Sequence, residues 1–312
     1  MNYPYANGII SAIENRLFDR NQYAKLYKMD KDDFIKQLLD YGYGRDGNSI
    51  EVIIESELAQ LRRFLDEISP DSHLTDLFFI EADAINIKAA FKNKFFASRN
   101  VFFMTGGNIT SEDLHLAVFS EDYSTLDKNY AGLIKEISSL LREIDNPHRL
   151  STTVDKAIYR YIFKHLPLVP NLALKAYFQL SVDTKNIITM VRTQALGWEI
   201  DRFAEMFLKG GLIDFSVFMA AYSATDNILI NLFKDFYQEK ISIGLKRYSQ
   251  NRNIDSLERY FEQLIINIMK NYRYDSFGIG PIIYYYLAKQ AEANNIRLIY
   301  SGDEVIGDLT EY

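Results

Sequence analysis

Apolar side chains at Ile9, Ile10, Ile13 and Leu17 recur at helical spacing and predict a first amphipathic helix. In KDDFIKQLLDYGYG, Phe34, Leu38 and Leu39 share one face, Asp32 and Asp33 suit a helix start, and Gly42 suits its end. A further stripe runs through Ile50, Ile54, Leu58, Leu61 and Leu65. The more apolar stretch FFIEADAINIKAAF follows, then a turn at Gly106 and Gly107. After that turn the pattern restarts. NITSEDLHLAVF, with Ser111 placed as N-cap, precedes YAGLIKEISSLL, VDKAIYRYIFKHL and the apolar YFQLSVDTKNIITMV. A second turn, Gly210 and Gly211, opens LIDFSVFMAAY, ILINLFKDFYQEKI, LERYFEQLIINIMKNY and finally YYYLAKQAEANNIRLIY. Every segment has helical period, and an all-α fold is expected.

The three most apolar segments share a motif: an acidic residue, then Asn three positions on and Ile four positions on. The copies are Asp83–Asn86–Ile87, Asp183–Asn186–Ile187 and Glu292–Asn295–Ile296. Glu55 lies 28 residues before Asp83 and Asp155 lies 28 before Asp183, whereas Glu258 lies 34 before Glu292. These recurrences divide the chain into three pseudo-repeats, about 1–105, 106–209 and 210–312, within one domain.

On a helix, positions i, i+3 and i+4 share a face. Each acid and amide is therefore set among apolar neighbours: Phe79, Ile80 and Ile85; Leu180, Val182 and Ile188; Leu287, Ile296 and Leu298. A polar group so placed must be hydrogen-bonded. The expected partners are backbone N–H groups at the start of a neighbouring helix, which carry partial positive charge. One acid per repeat with no histidine nearby disfavours a metal site. The basic residues that follow (Lys88, Lys92 and Lys94; Arg192; Arg297) read as a solvated helix flank, with a cationic docking face as the rival reading.

Composition adds exclusions. A net charge of −7 without a basic stripe gives no sign of a nucleic-acid partner. The absence of cysteine removes disulfides, thiolate metal sites and cysteine nucleophiles. Only 6 prolines and 15 glycines among 312 residues favour helices over a sandwich or barrel. The first residues show no basic and apolar signal-peptide pattern, and apolar runs such as IGPIIYYYLA fall short of the ~18–20 residues of a spanning helix. GYGRDG (42–47) spells a dinucleotide fingerprint, but a helix precedes it where a strand is needed, so it reads as a helix end and connector. His73, His115, His148 and His165 are scattered, and neither a nucleophile elbow nor an aspartate-rich cation motif occurs. No catalytic residue and no cofactor are expected.

GPIIYYYLAKQAEANNIRLIYSG (280–302) resembles the C-terminal signature of the C subunits of archaeal and bacterial V-type (A-type) ATPases, the family that includes the d subunit of eukaryotic V-ATPases. The opening Tyr5-Ala6-Asn7, the YGYG at 41–44 and the Asp-x-x-Asn-Ile segments agree with it in order. The resemblance implies an all-helical funnel of three similar units around a pseudo-threefold axis, without an active site. It also implies a cytoplasmic rotor subunit, peripheral to the membrane, that seats central-stalk subunits D and F on the proteolipid ring. Phe95, Phe96, Trp198 and Phe277 are then candidates for the ring or stalk interface. A helical-repeat scaffold with other soluble partners is the alternative.

Overall fold

A computed structural model describes residues 2–44, 47, 49–97, 103–104, 106–166, 171–302 and 309–312. Fifteen α-helices and no β-strand occur among the described residues. α1 (Tyr3–Ile13), α2 (Arg20–Leu26), α3 (Lys31–Asp40) and α4 (Ile50–Ile68) lead to the long α5 (Ser72–Phe96). α6 (Ser111–His115), a π turn at Leu116–Ser120, α7 (Lys128–Leu140) and α8 (Pro147–His165) lead to the long α9 (Leu172–Ala195). α10 (Ile200–Met206), α11 (Phe215–Tyr222), α12 (Asp226–Leu232), α13 (Lys240–Asn251) and α14 (Ile254–Met269) lead to α15 (Gly280–Ser301).

Local chemistry fixes the helix ends. Asp30 accepts the Asp33 N–H at 2.9 Å to open α3. At its other end Gly42, at φ 75°, donates to the Leu39 carbonyl while Tyr43 donates to that of Leu38, the doubly bonded stop that a left-handed glycine permits. Arg45 and Asp46, the middle of the GYGRDG run, lie outside the described residues. Two expectations are corrected. Thr110, not Ser111, caps α6: its extended backbone turns the hydroxyl onto the Asp113 N–H at 3.1 Å, and Ser111 is already helical. ILINLFKDFYQEKI is not one helix, because Tyr237, Gln238 and Glu239 all adopt left-handed φ (51°, 55° and 65°) between α12 and α13. Non-glycine residues resist that conformation, and its compensation appears at the buried motif below.

The chain forms two compact units, Met1–Phe78 with Ile266–Tyr312, and Phe79–Ile265. The division falls inside α5 and α14 and does not follow the repeat boundaries. In the first unit Leu26, Phe34, Leu38, Ile53, Ile54 and Ile296 form a buried cluster. There α4 presents Ile50, Ile53, Ile54, Leu61 and Leu65 inward at helical spacing, against α15. In the second unit α7 packs on α8, Ile134, Ile137, Val154 and Ile158 of these helices are buried, and Phe203, Phe218 and Phe233 form an aromatic chain. α9 and α15 bury residues on most of their circumference, so they lack the polar stripe of a surface helix. No helix among the described residues is long and apolar enough to cross a membrane.

Candidate functional site

The repeated acids lie wholly inside the protein. Asp83 on α5 accepts the N–H groups of Asn108 at 2.8 Å and Ile109 at 3.0 Å, and also the Asn108 amide at 2.8 Å. Asp183 on α9 accepts those of Leu212 at 2.8 Å and Ile213 at 3.3 Å. Both sites belong to the second unit. In the first unit, Glu292 on α15 accepts the Phe18 N–H at 2.6 Å. Ile109, Ile213 and Phe18 occupy one structural position, the residue just before the N-cap of α6, α11 and α2. Each long helix thus holds the entry of a short helix by its backbone.

The asparagines make a second recurring contact. Asn86 exchanges two hydrogen bonds with the backbone of Met104, at 2.9 and 2.7 Å. Asn186 does the same with Leu208, both at 2.8 Å, and Asn295 with Thr310, both at 2.9 Å. A primary amide matches the peptide group in donor and acceptor, so one side chain satisfies a residue of irregular backbone that burial would otherwise leave unpaired. Ile87, Ile187 and Ile296 are fully buried beside these polar pairs. Ile85, expected on the same apolar face, is exposed instead.

The three sites differ in how they neutralise the acid. For Asp183, burial pushes the carboxyl up to about 6, while the Tyr237 hydroxyl at 2.6 Å and the two backbone N–H groups pull it back. The left-handed break between α12 and α13 is what aims Tyr237 at this carboxylate. The approach also needs glycine: a Cβ at Gly107 would lie 2.3 Å from Asp83 Oδ1, and one at Gly211 only 1.9 Å from Asp183 Oδ1. At the third site the corresponding residue, two before Phe18, is Arg16, and the acid is Glu, one methylene longer. Burial raises the Glu292 carboxyl, but the buried Lys289 one turn earlier on α15 pairs with it and with Glu57 at 2.7 Å. Those two carboxylates hold the Lys289 ammonium above its usual range despite burial.

One of the basic residues after each motif is ion-paired as well as partly solvated. Lys88 pairs with Asp155 at 2.8 Å, Arg192 with Glu258 at 2.7 Å, and Arg297 with Glu51 at 3.0 Å. Each of these cations projects from a long helix toward an acid on another helix. Sequence reasoning also missed Glu81, whose carboxylate accepts from Tyr177 at 2.6 Å and from Tyr159 and Lys185. Burial opposes its charge, but Lys185 and the hydroxyls outweigh burial and lower its pKa. Glu81, Tyr177 and Lys185 line a cavity of about 540 Å³ in the second unit. Lys289, three residues before Glu292, was open to the i, i+3 rule; Tyr159, Tyr177 and Tyr237 gave no local signal.

The acids and amides of the repeated motif bind backbone. Among the described residues, no three His, Asp or Glu side chains converge as metal ligands would. The family model of the ATP synthase (C/AC39) subunit matches residues 6–305. The chain belongs to that family. It is 25% identical to the C subunit of the A-type ATP synthase of Haloquadratum walsbyi, over 97% of this chain and 94% of the relative. The corresponding A-type C subunit of Methanocaldococcus jannaschii is 22% identical over 96% of this chain and 82% of the relative. The C subunit of the V-type ATP synthase of Thermus thermophilus is 25% identical over 54% of this chain and 49% of its own. In this C/AC39 chain the apolar interface candidates lie apart from the buried motif. Phe95 and Phe96 end α5, where Phe95 stacks on Phe91 at 6.0 Å. Trp198 is half-buried under the Arg202 guanidinium, and Phe277 stands 81% exposed.

Proposed function

We propose that the chain is the non-catalytic rotor subunit that seats the central stalk of an A/V-type ATP synthase, subunits D and F, on the membrane proteolipid ring. It would transmit torque for ion transport from the cytoplasmic side of the membrane. The observation that carries this reading is the order of the backbone contacts. If the chain is three repeats of about 1–105, 106–209 and 210–312, the first repeat's acid holds the entry of the second, and the second's holds that of the third. The third repeat's acid, Glu292, holds the entry of the first at Phe18. The ion pairs Lys88–Asp155, Arg192–Glu258 and Arg297–Glu51 follow the same order. A head-to-tail contact that returns to its start is what closure about a pseudo-threefold axis requires, and an open stack would leave its last acid without a partner. Under this proposal, such closure would resist twisting and suit a coupling role. The names of relatives in the family support the coarser part of this reading, a subunit of an ATP synthase.

The test is affinity isolation of the tagged chain from its native membranes in mild detergent. Stalk subunits D and F together with the proteolipid are the expected companions. Isolation with soluble proteins only, and no ring or stalk component, would overturn the proposal.

A further inference from the structure

In the second unit, α8 and the segment that leaves α10 line a cavity of about 480 Å³, distinct from the one that Glu81 lines. α8 contributes Lys156, Tyr159, Arg160 and Phe163, which share one helical face at spacings of three and four residues. Phe207 and Lys209, just past α10, complete the lining. The buried motif holds this segment in place: Asn186 exchanges hydrogen bonds with the Leu208 backbone, and Asp183 accepts the Leu212 N–H. Gly210, at φ 117°, lets the segment close on α8, because a Cβ there would lie 2.0 Å from Phe163 Cε2. Buried contacts therefore set the shape of the cavity.

Three cations and no acid line it, in a protein whose net charge is −7. Lys156 and Arg160 stand four residues apart on one helix, a spacing at which like charges repel. All three cations are within reach of solvent: the Arg160 side chain is 59% exposed, Lys209 is exposed and Lys156 is half-buried. The Lys209 ammonium has no hydrogen bond or ion pair among the described residues. Lys156 donates to the Glu205 carbonyl at 2.6 Å and Arg160 to Glu136 at 2.9 Å, which leaves N–H donors on both groups available. Burial holds the Lys156 ammonium below the usual lysine range; Glu205 opposes that shift and the Lys209 ammonium adds to it. The Glu205 carboxylate is itself paired with Arg202 at 2.8 Å. A bound anion relieves such repulsion and gains charge-assisted hydrogen bonds. Phe163 and Phe207, both half-buried, add apolar surface beside the cations, so a carbon body attached to the anion is favoured as well. Three cations exceed the charge of one carboxylate and suit a phosphate monoester, which carries about −1.5 to −2 at pH 7.

We propose that this cavity binds a small organic phosphate monoester. Its phosphoryl oxygens accept from Lys156, Arg160 and Lys209, and its apolar body lies against Phe163 and Phe207. The site does not depend on the coupling role proposed above, because its chemistry belongs to the second unit alone.

The experiment is isothermal titration calorimetry of the full chain with phenyl phosphate near neutral pH. Expected is saturable binding with a Kd of about 1 mM or tighter. Inorganic phosphate, which lacks the body, and benzoate, which carries a single charge, should each bind about tenfold more weakly. Lys209→Gln alters an exposed side chain, so the fold stays intact, and it should weaken phenyl phosphate about tenfold. Lys128→Gln, at an exposed lysine outside the cavity, should leave binding unchanged. Three results would each overturn the proposal: no saturation by about 10 mM, phosphate or benzoate binding as tightly as phenyl phosphate, or equal effects of the two substitutions. Phosphatidic-acid vesicles should retain the chain no better than phosphatidylcholine vesicles; retention that phenyl phosphate displaces would overturn the assignment to a free molecule, in favour of a lipid headgroup.

Discussion

A methyl group added at position 211 isolates the energetics of the buried motif. Gly211 is not among the left-handed glycines, so its backbone accommodates alanine, and the perturbation is the collision itself. The new Cβ would meet Asp183 Oδ1 at 1.9 Å and Cγ at 2.5 Å, so the carboxylate must move. It then gives up the Leu212 and Ile213 N–H groups and the Tyr237 hydroxyl. Hydrogen bonds to a charged group contribute roughly 1.5–3 kcal/mol each. Partial relaxation makes the net cost smaller than their sum, about 3–5 kcal/mol for breaking one buried charged cluster. The assay is urea unfolding followed by far-UV circular dichroism, performed as a double-mutant cycle with Asp183→Ala. In the Asp183→Ala background no carboxylate remains to collide, and Gly211→Ala should cost under about 1 kcal/mol, a coupling of at least ~2 kcal/mol. Gly132→Ala, in α7 with open space at its Cβ, is the matched control and should gain about 0.5–1 kcal/mol. Equal costs of Gly211→Ala in the two backgrounds would refute the argument.

Three further outcomes are expected. Lys289→Met strands the Glu57 and Glu292 carboxylates without their cation and should destabilise by about 3–5 kcal/mol; adding Glu292→Gln should restore part of the thermal midpoint, and a loss below ~1 kcal/mol would contradict the pairing. Asp183 is raised from 3.8 to about 6, so its contribution to stability is complete below about pH 4 and is lost as pH rises through about 6, a change of about 3 kcal/mol. The wild-type urea midpoint minus that of Asp183→Asn, measured across this range, should fall accordingly; a flat difference would show that the acid is not held this way. Phe277→Asp changes a side chain that is almost wholly in solvent, so stability should stay within about ±0.5 kcal/mol; under the rotor proposal it should release the soluble motor from membranes with ATP hydrolysis intact, and unchanged retention would remove Phe277 from the interface.

Much of the site was legible as a pattern, and little of it as a mechanism. Asp-x-x-Asn-Ile recurs with a spacing that puts acid, amide and isoleucine on one helical face, so the shared burial of these side chains follows from helix geometry alone. The glycines after each boundary were visible as turns. Their physical role, removing a Cβ from the path of a carboxylate, appears only when Gly107 meets Asp83 and Gly211 meets Asp183. Arg16 in place of that glycine and Glu292 in place of aspartate look unrelated in the sequence. In space they fall at one contact, where Glu292 accepts the N–H of Phe18, two residues after Arg16.

Helical class, the amphipathic stripes and the three recurrences were written locally, because periods of three and four residues reflect hydrogen bonding and burial within single helices. Partner choice was not. Tyr237 reaches Asp183 through three left-handed residues that no propensity favours, and Lys88, Arg192 and Arg297 find their acids on other helices. Those choices depend on which backbone passes within hydrogen-bonding distance of a buried charge, and only the packed chain settles that distance.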